Sequence, residues 1–328
     1  MLRWGILGTS FISDTMAAAI AKSPVSRIEA VMGRDAARLA AFAARHGAAR
    51  TYRDIAVLLE DADVDAVYIG LPNHIHHEAV IAAAKAGKPV LCEKSLTTGM
   101  GDAQALASAV EESGIFFMEG LMYLHHPLIA RLGSVLASSR LGPLRAVTGF
   151  YAADIWRVAN PGGRGTLYNL GCYPVSLLHF VVQAACGPQD FAFRHLTGLG
   201  NIQPETGNLV DAALAVRFSN GVLASLQCSD GYGLSHDFAV HGERATLRFR
   251  TNPWLPAAGR SVLDIRDHDG TIEEIVVEAD GDAFDYQLRT VESCLAAGLT
   301  QPSRPAPRLS DSLEILWMLA EWERLCLM

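Results

Sequence analysis

The stretch "GILGTSFIS", residues Gly5 to Ser13, ends an apolar run near the start of the chain and precedes a segment of helical period. Compared with the dinucleotide-binding pattern GxGxxG, Gly8 takes the first glycine position, and Ser10 and Ser13 take the second and third. The first position makes a tight turn, the second lets the backbone approach a pyrophosphate, and the third must be small so that helix and strand can pack. Serine is small enough for both later positions. The stretch predicts a nucleotide-binding turn, and a plain strand-to-helix turn without a ligand is the alternative.

An anion at such a turn is held by backbone N–H groups at the start of the helix. The candidate cofactor residues around the turn are Gly8, Thr9, Ser10, Phe11 and Ile12.

Short apolar runs alternate with Ala-rich segments of helical period through the first 120 residues, which is the pattern of a parallel sheet with crossover helices. After Tyr123 the pattern changes to alternating strands such as Leu144–Ala152 and Leu209–Phe218, which indicates an antiparallel sheet. We therefore predict two domains. Residues 1–121 form an α/β Rossmann domain with a doubly wound parallel sheet. Residues 122–328 form an α+β domain with a large, open, mainly antiparallel sheet that serves substrate binding and oligomerisation.

Composition excludes several classes of partner. The 328 residues contain 27 Lys and Arg against 35 Asp and Glu, a net charge of −8, with no basic stripe for a nucleic acid to follow. Neither a transmembrane run nor a cleavable leader is visible, so we expect a cytoplasmic protein without a membrane partner. Histidines cluster in "NHIHH" and "HH", but no other ligand stands at a recognised spacing beside them, and we expect no metal site.

The end of the second predicted strand bears on the choice of cofactor. NAD sites usually place an Asp or Glu there for the ribose 2′-hydroxyl. This chain has Gly33 and Arg34 at that place, and Asp35 is expected to cap the next helix. A cation at the 2′ position favours NADP over NAD, and a solvated arginine is the alternative.

Two further segments follow predicted strands at the same edge of the sheet, where doubly wound folds bind ligands. The first, "GLPNHIHH", contains the candidate cofactor residues Leu71, Pro72, Asn73 and His76, and the second, "CEKS", contains Glu93 and Lys94. A half-buried amine at the end of an apolar strand is expected to contact a ligand or a carboxylate. An ion pair with Glu93 is the structural alternative for Lys94.

In the second domain, "GGRGTLYNLGCYPVSLLHF" leads from a Gly-rich approach into an apolar helix. Asn169 and Tyr173 are four residues apart, so one helical face can present both side chains to one pocket. A core tyrosine on an amphipathic helix is the alternative.

Taken together, the near-GxGxxG turn, "PNHIH", "CEKS" and "GCYPV", in that order and spacing, resemble the Gfo/Idh/MocA family of NAD(P)-dependent oxidoreductases. The likeness covers nearly the whole chain. Within the family, "MEGLMYLHHP" and the tyrosine of "LGCYPV" resemble the branch that contains glucose-fructose oxidoreductase, dimeric dihydrodiol dehydrogenase and xylose dehydrogenase.

The resemblance implies roles for individual residues. Lys94 matches the lysine of the family's EKP motif and Tyr173 matches its general acid/base, so both are the predicted catalytic residues. Three positions depart from the family pattern: Ser10 replaces a glycine, Ser95 a proline and Asn169 an aspartate.

Two functions follow. The first is an NAD(P)-dependent dehydrogenase or reductase that acts on a secondary alcohol or carbonyl of a sugar, polyol or cyclic diol. The second is a non-catalytic dinucleotide sensor on the same fold, which need not retain an acid/base pair. The candidate substrate-binding residues are Tyr123, Trp156, Arg157, Asn169 and His179. The resemblance also implies a homodimer or homotetramer built through the C-terminal sheet.

Overall fold

The computed structural model describes residues 1–192 and 194–328. The chain forms two compact units. The first comprises Met1–Met122 with Phe284–Leu313, and the second comprises Tyr123–Ala283 with Glu314–Met328. The predicted division into a dinucleotide-binding domain, 1–121, and a substrate-binding and oligomerisation domain, 122–328, stays a prediction.

The first unit contains a six-stranded parallel sheet in the order β3-β2-β1-β4-β5-β6. Its strands are β1 (Leu2–Leu7), β2 (Ser26–Met32), β3 (Arg50–Tyr52), β4 (Ala66–Ile69), β5 (Val90–Glu93) and β6 (Phe117–Gly120). The helices between them are α1 (Phe11–Lys22), α2 (Ala36–His46), α3 (Ile55–Leu59), α4 (His76–Lys85) and α5 (Met100–Ser113). The strand order is that of a doubly wound Rossmann sheet, so this prediction is confirmed.

Burial explains the strands of this sheet. Every residue of β4, β5 and β6 is buried, as expected for parallel strands covered on both faces. The helix ends follow local rules as well. Asp35 caps α2 by accepting from the N–H groups of Ala37 and Arg38, and Gly47 ends it with φ 66°. The predicted cap of α2 at Asp35 is confirmed.

The second unit contains an eight-stranded sheet in the order β14-β13-β12-β11-β7-β10-β9-β8. Its strands are β7 (Leu144–Ala153), β8 (Arg194–Ile202), β9 (Leu209–Phe218), β10 (Leu223–Ser229), β11 (Leu234–Gly242), β12 (Ala245–Phe249), β13 (Gly259–Asp267) and β14 (Ile272–Ala279). The pair β7 and β10 is parallel, and the other neighbouring pairs are antiparallel. The predicted mainly antiparallel sheet is confirmed.

The second unit also contains α6 (Pro127–Ala137), a π-helical turn (Leu167–Gly171), α7 (Cys172–Ala185) and α8 (Pro188–Ala192). Helix α9 (Ala283–Ala296) belongs to the first unit except for its first residue, and α10 (Leu309–Cys326) begins in the first unit and ends in the second. Helix α7 packs against β7 and β10, and its buried side chains run from Cys172 to Val182.

Within the described ranges, no helix is both long and apolar enough to cross a membrane.

Candidate functional site

The turn after β1 requires glycine at its first position. Gly8 has φ +104°, and a Cβ there would lie 2.9 Å from the carbonyl oxygen of Gly70. The turn therefore closes directly against the end of β4. Strands β1 and β4 are the neighbours at which the strand order reverses, which is the ligand-binding crevice of doubly wound sheets.

Ser10 holds this turn through its side chain. Its hydroxyl donates to the Gly70 carbonyl oxygen at 2.9 Å and accepts from the N–H of Ser13 at 3.4 Å, which caps α1. The N–H groups of Phe11 and Ile12 precede the first intrahelical bond, which Asp14 donates to Ser10. An anion at this turn would therefore meet backbone donors, because the Ser10 hydroxyl already has structural partners.

The end of β2 lies beside the same turn. A Cβ on Gly33 would lie 3.0 Å from Cγ2 of Thr9, so the two segments are in close contact. Arg34, the next residue, is exposed. Since the Asp35 carboxylate accepts two backbone N–H groups as the cap of α2, this edge presents a cation rather than a carboxylate.

His76 ties together the loops that follow β4 and β5. Its Nε2 lies 2.8 Å from the carbonyl oxygen of Leu71, and its Nδ1 lies 3.0 Å from that of Ser95. Complete burial lowers the pKa of His76 to about 4, so the imidazole is neutral at pH 7 and donates to one of these oxygens at a time. Strand β4 ends at Ile69, and the chain continues through Gly70 to the short 3₁₀ helix Asn73–Ile75. The structure thus gives His76 a supporting position between the loops.

Lys94 stands at the carboxyl end of β5 and is partly exposed. Its peptide bond to Ser95 is cis. The preceding Glu93 is 5% exposed and accepts hydrogen bonds from the Tyr68 hydroxyl at 2.8 Å and from the Lys94 backbone N–H at 3.3 Å. Burial raises the pKa of Glu93, and the nearby Lys94 ammonium opposes that rise.

A second buried carboxylate, Glu119, was not among the predicted residues. It pairs across the β5–β6 ladder with Cys92 and is 2% exposed. Burial raises the pKa of Glu119 to about 7. Two buried carboxyl groups, Glu93 and Glu119, therefore lie near the carboxyl ends of the neighbouring strands β5 and β6. The burial of Glu119 beside β5 could not be predicted from "IFFMEG". Both faces of this strand are buried, so the sequence pattern does not show which residues Glu119 contacts.

In the second unit, Tyr173 occupies the first turn of α7 and is 6% exposed. Three aromatic rings surround it, with ring centroids at 5.8 Å for Tyr123, 5.3 Å for Tyr151 and 6.3 Å for Trp254. We call Tyr123, Tyr151, Tyr173 and Trp254 the aromatic cluster. Tyr151 makes an edge contact with Tyr173 and the other two rings are tilted against it, and together these contacts restrain the orientation of the phenol ring.

The predicted substrate-binding residue Tyr123 lies in the interior of this cluster. Its hydroxyl donates to the carbonyl oxygen of Tyr173 at 3.1 Å and lies 2.6 Å from the hydroxyl of Ser176. With 0% exposure, Tyr123 supports the first turn of α7. Burial also raises the pKa of Tyr151 to about 12, so that phenol stays protonated at neutral pH.

Asn169 lies in the π-helical turn, four residues before Tyr173. Its amide donates to Oδ2 of Asp230 at 3.0 Å. The carboxylate that the family pattern places at position 169 is missing from that position, but a carboxylate contacts the amide that replaces it. Asp230 was not predicted, because nothing in the sequence places the end of β10 beside Asn169.

The remaining predicted substrate-binding residues separate into two places. Trp156 is partly buried, and its backbone N–H donates to the carbonyl oxygen of Asp230 at 3.0 Å. Arg157 is exposed, with its guanidinium 4.4 Å from the centroid of the Trp156 ring. His179 is 4% exposed, and its Nε2 lies 2.7 Å from Oε2 of Glu314. The structure brings Trp156 and Asn169 together at Asp230 and places His179 in a buried contact with α10.

The histidine clusters form no metal centre in the part of the chain that the structure describes, where no group of three or more His, Cys, Asp or Glu side chains could hold a metal ion.

Comparison with known proteins identifies both parts of the chain. Residues 2–121 match the model of the Gfo/Idh/MocA oxidoreductase family with an NAD-binding Rossmann fold, and residues 129–248 match the Gfo/Idh/MocA C-terminal domain. The chain is 28% identical over 334 residues to the trans-1,2-dihydrobenzene-1,2-diol dehydrogenase of Bos taurus, covering 95% of each chain. It is 29% identical over 257 residues to the 1,5-anhydro-D-fructose reductase of Ensifer adhaerens, covering 75% of each.

A solved structure resembles the whole chain. It is a 3-ketoreductase from Actinomadura kijaniata in complex with NADP and TDP-benzene, 25% identical, with a TM-score of 0.84 over 97% of this chain and 95% of that one. The predicted use of a nicotinamide cofactor and the predicted class of dehydrogenase or reductase are confirmed. The chain belongs to the Gfo/Idh/MocA family of NAD(P)-dependent oxidoreductases.

Proposed function

We propose that this enzyme transfers a hydride between C4 of a nicotinamide and a secondary alcohol or carbonyl carbon of a sugar, polyol or cyclic diol. In this proposal Tyr173 is the general acid/base at the substrate oxygen, and Lys94 supplies positive charge. Relatives named for a cyclic diol, an anhydro sugar and a 3-keto group support the substrate class, because each name describes an alcohol or a carbonyl group.

The observation that carries the proposal is the arrangement at the carboxyl edge of the first unit's sheet. The Gly8 turn leaves no room for a side chain, and the N–H groups of Phe11 and Ile12 begin α1 beside it. These features fit a pyrophosphate, and Lys94 ends a strand at the same edge. A bound nicotinamide supplies or accepts the hydride at its C4.

The second unit supports the proton-transfer role of Tyr173. A free phenol titrates near pKa 10, so a tyrosine that exchanges a proton near neutral pH needs a positive charge to favour its phenolate form. The proposal gives this task to Lys94. The aromatic cluster fixes the ring of Tyr173, and Tyr123 holds its backbone carbonyl. A fixed orientation of the phenol favours proton transfer between its hydroxyl and the substrate oxygen.

We further propose that NADP is the preferred cofactor. Arg34 is exposed directly after Gly33, and the nearby acid Asp35 is occupied by the cap of α2. A guanidinium favours a 2′-phosphate, whereas a free carboxylate would favour a 2′-hydroxyl. The NADP bound to the related 3-ketoreductase is consistent with this choice.

The test is turnover of NADPH with ring ketones, and of NADP with sugars and diols, followed at the nicotinamide absorbance band. Tyr173→Phe removes one hydroxyl and should lower kcat by roughly a hundredfold or more. Tyr232→Phe makes the same chemical change at an exposed position and serves as the control. Cofactor binding without turnover of any substrate, unchanged by Tyr173→Phe, would support the dinucleotide sensor instead.

The cytoplasm stays the expected compartment of this protein. We also propose that the chain forms oligomers through the open face of the eight-stranded sheet. Leu199 is 74% exposed on β8, next to the partly buried Ala213 on β9. The partly buried Phe150 on β7 lies in the same row across the sheet, on the far side of Gln227 of β10. A broad apolar sheet face commonly marks a protein interface. Sedimentation velocity should show a species of two or four 35.2 kDa chains. A monomer at micromolar concentration would contradict this assembly.

A further inference from the structure

A buried carboxylate, Asp230, lies directly after β10 and takes no part in the steps proposed above. The residue is 2% exposed. Its Oδ2 accepts a hydrogen bond from Asn169, but its Oδ1 is buried with no hydrogen-bond partner among the described residues. A buried acceptor without a partner destabilises a fold, so the position of Oδ1 calls for a physical reason.

The backbone holds Asp230 firmly in this place. Its N–H donates to the carbonyl oxygen of Val210 at 3.0 Å. Its own carbonyl oxygen accepts from the N–H groups of Ile155 and Trp156, both at 3.0 Å. Three hydrogen bonds to two segments fix the backbone of Asp230, and the bond from Asn169 to Oδ2 orients its carboxylate, so Oδ1 is held inside the protein.

The side chain that carries Oδ1 lines a small cavity with several polar residues in its walls. The cavity measures about 10 Å³, and its walls include Trp156, Asn169, Gln203 and Asn208 as well as Asp230. This volume accepts a group about the size of one water molecule, such as a single hydroxyl. An ionised carboxylate can only accept hydrogen bonds, so the group that meets Oδ1 must be a donor.

One wall of the cavity is formed by Asn169, in the π-helical turn that leads directly into the helix of the proposed acid/base. Asn169 stands four residues before Tyr173 along the chain and donates to Asp230. Burial raises the pKa of Asp230 to about 6, so the carboxylate is ionised at pH 7.5. A charged acceptor beside amide groups and one aromatic ring is well suited to a sugar hydroxyl.

We propose that Asp230 is a specificity-determining residue whose Oδ1 accepts a hydrogen bond from a substrate hydroxyl other than the one that reacts. The inference rests on the proposed function and adds to it the substrate class. Asp230 selects ring substrates that carry further hydroxyl groups over rings that carry only the reacting group.

The test compares two ring ketones with NADPH as the reductant. 1,5-Anhydro-D-fructose carries several hydroxyl groups, and tetrahydropyran-3-one is the same ring without them. The measured quantity is the ratio of kcat/KM for the first ketone to kcat/KM for the second. In Asp230→Asn, which keeps the size of the side chain, this ratio should fall roughly tenfold to a hundredfold, because a hydrogen bond to a charged group is lost.

Asp211→Asn is the matched control. Asp211 is a neighbouring carboxylate on β9 that accepts from the hydroxyl of Ser229 and the amide of Asn201. Its substitution should leave the ratio within twofold of wild type. If Asp230→Asn does not fold, Asp230→Ser keeps a hydroxyl acceptor in place of the carboxylate and should show the same direction of change.

The outcomes separate this inference from the proposed function. If wild type reduces both ketones and Asp230→Asn loses activity on both equally, Asp230 is structural only and the inference is overturned, while the proposed function stands. An unchanged ratio in a folded variant overturns it as well. If wild type turns over neither these ketones nor any other ring ketone, sugar or diol, the proposed function itself is contradicted and the inference falls with it.

Discussion

The two regions that the proposal combines are built in different ways. The cofactor turn of the first unit consists of backbone atoms and small side chains that are adjacent in sequence, from Gly8 to Ser13. The aromatic cluster and Asp230 of the second unit come from five separate segments between residues 123 and 254. Local rules determine the first region, whereas tertiary packing determines the second. Substitutions should therefore affect the two regions differently.

The largest effect is expected from Trp254→Ala. The indole is 0% exposed and contacts Tyr123, Tyr151, Tyr173 and Phe238. Removing it should lower the free energy of unfolding by about 3 to 5 kcal/mol and lower turnover, because the ring of Tyr173 loses its restraint. Urea unfolding measures the first effect and steady-state kinetics the second. Trp317→Ala, at a 41% exposed tryptophan, is the control and should change stability by less than about 1 kcal/mol.

The same variant tests whether the two regions are independent. The affinity for NADPH, measured by nicotinamide fluorescence at a temperature where the variant is folded, should stay within twofold of wild type. A large loss of cofactor affinity in folded Trp254→Ala would show that the cofactor turn depends on the packing of the second unit.

Asp230→Asn should increase stability at pH 8 by about 3 kcal/mol. Burial raises the pKa of Asp230 from 3.8 to about 6, so folding opposes the charged form. The unfolded chain therefore binds fewer protons than the folded one between these values, and the penalty is complete above pH 6 and lost as the pH falls toward 4. Thermal unfolding at pH 8 and pH 5 measures the difference. A variant that is less stable than wild type at pH 8 would contradict a buried, ionised Asp230.

Arg34→Asp should weaken NADP binding by roughly tenfold to a hundredfold and leave or improve NAD binding, because a charge-assisted hydrogen bond to the 2′-phosphate is replaced by repulsion. Kd values for both cofactors measure the change. Arg131→Asp alters the net charge equally at an exposed position of α6 and is the control. Equal changes in Kd for the two variants would contradict a contact between Arg34 and the cofactor.

The smallest effect is expected from Ser10→Gly. Glycine is an acceptable N-cap, so the loss of stability should be a few tenths of a kcal/mol. Because the Ser10 hydroxyl is bonded to Gly70 and Ser13, the NADP affinity should stay within about twofold of wild type. A tenfold loss of affinity, measured by titration, would instead assign the hydroxyl to the phosphate.

The contrast between the regions also explains what the sequence could predict. Continuous apolar runs, a helix cap at Asp35 and a left-handed glycine at Gly47 are local signals, so the Rossmann sheet and its turn followed from the sequence. The alternation of buried and exposed positions in strands such as Leu209–Phe218 indicated the second sheet in the same way.

Contacts between distant segments could not be predicted. The strand ending at Ser229 shows no sign that Asp230 meets Asn169, because this depends on the parallel pairing of β10 with β7 in an otherwise antiparallel sheet. Likewise, an aromatic residue with a hydroxyl, such as Tyr123, is of a type that often binds substrates. In the structure, however, the Tyr123 hydroxyl donates to the backbone carbonyl oxygen of Tyr173. Side-chain partners of this kind follow from topology, which residue type and spacing do not encode.

The proposed function is hydride transfer with Tyr173 as the acid/base. Its most direct test uses NADPH that carries deuterium at the transferred position of C4, with mass spectrometry of the alcohol formed from a ring ketone such as 1,5-anhydro-D-fructose. We predict one deuterium on the new carbinol carbon with wild type, and a rate of labelling at least a hundredfold lower with Tyr173→Phe. An alcohol without deuterium, or equal rates of labelling by the two proteins, would contradict the claim.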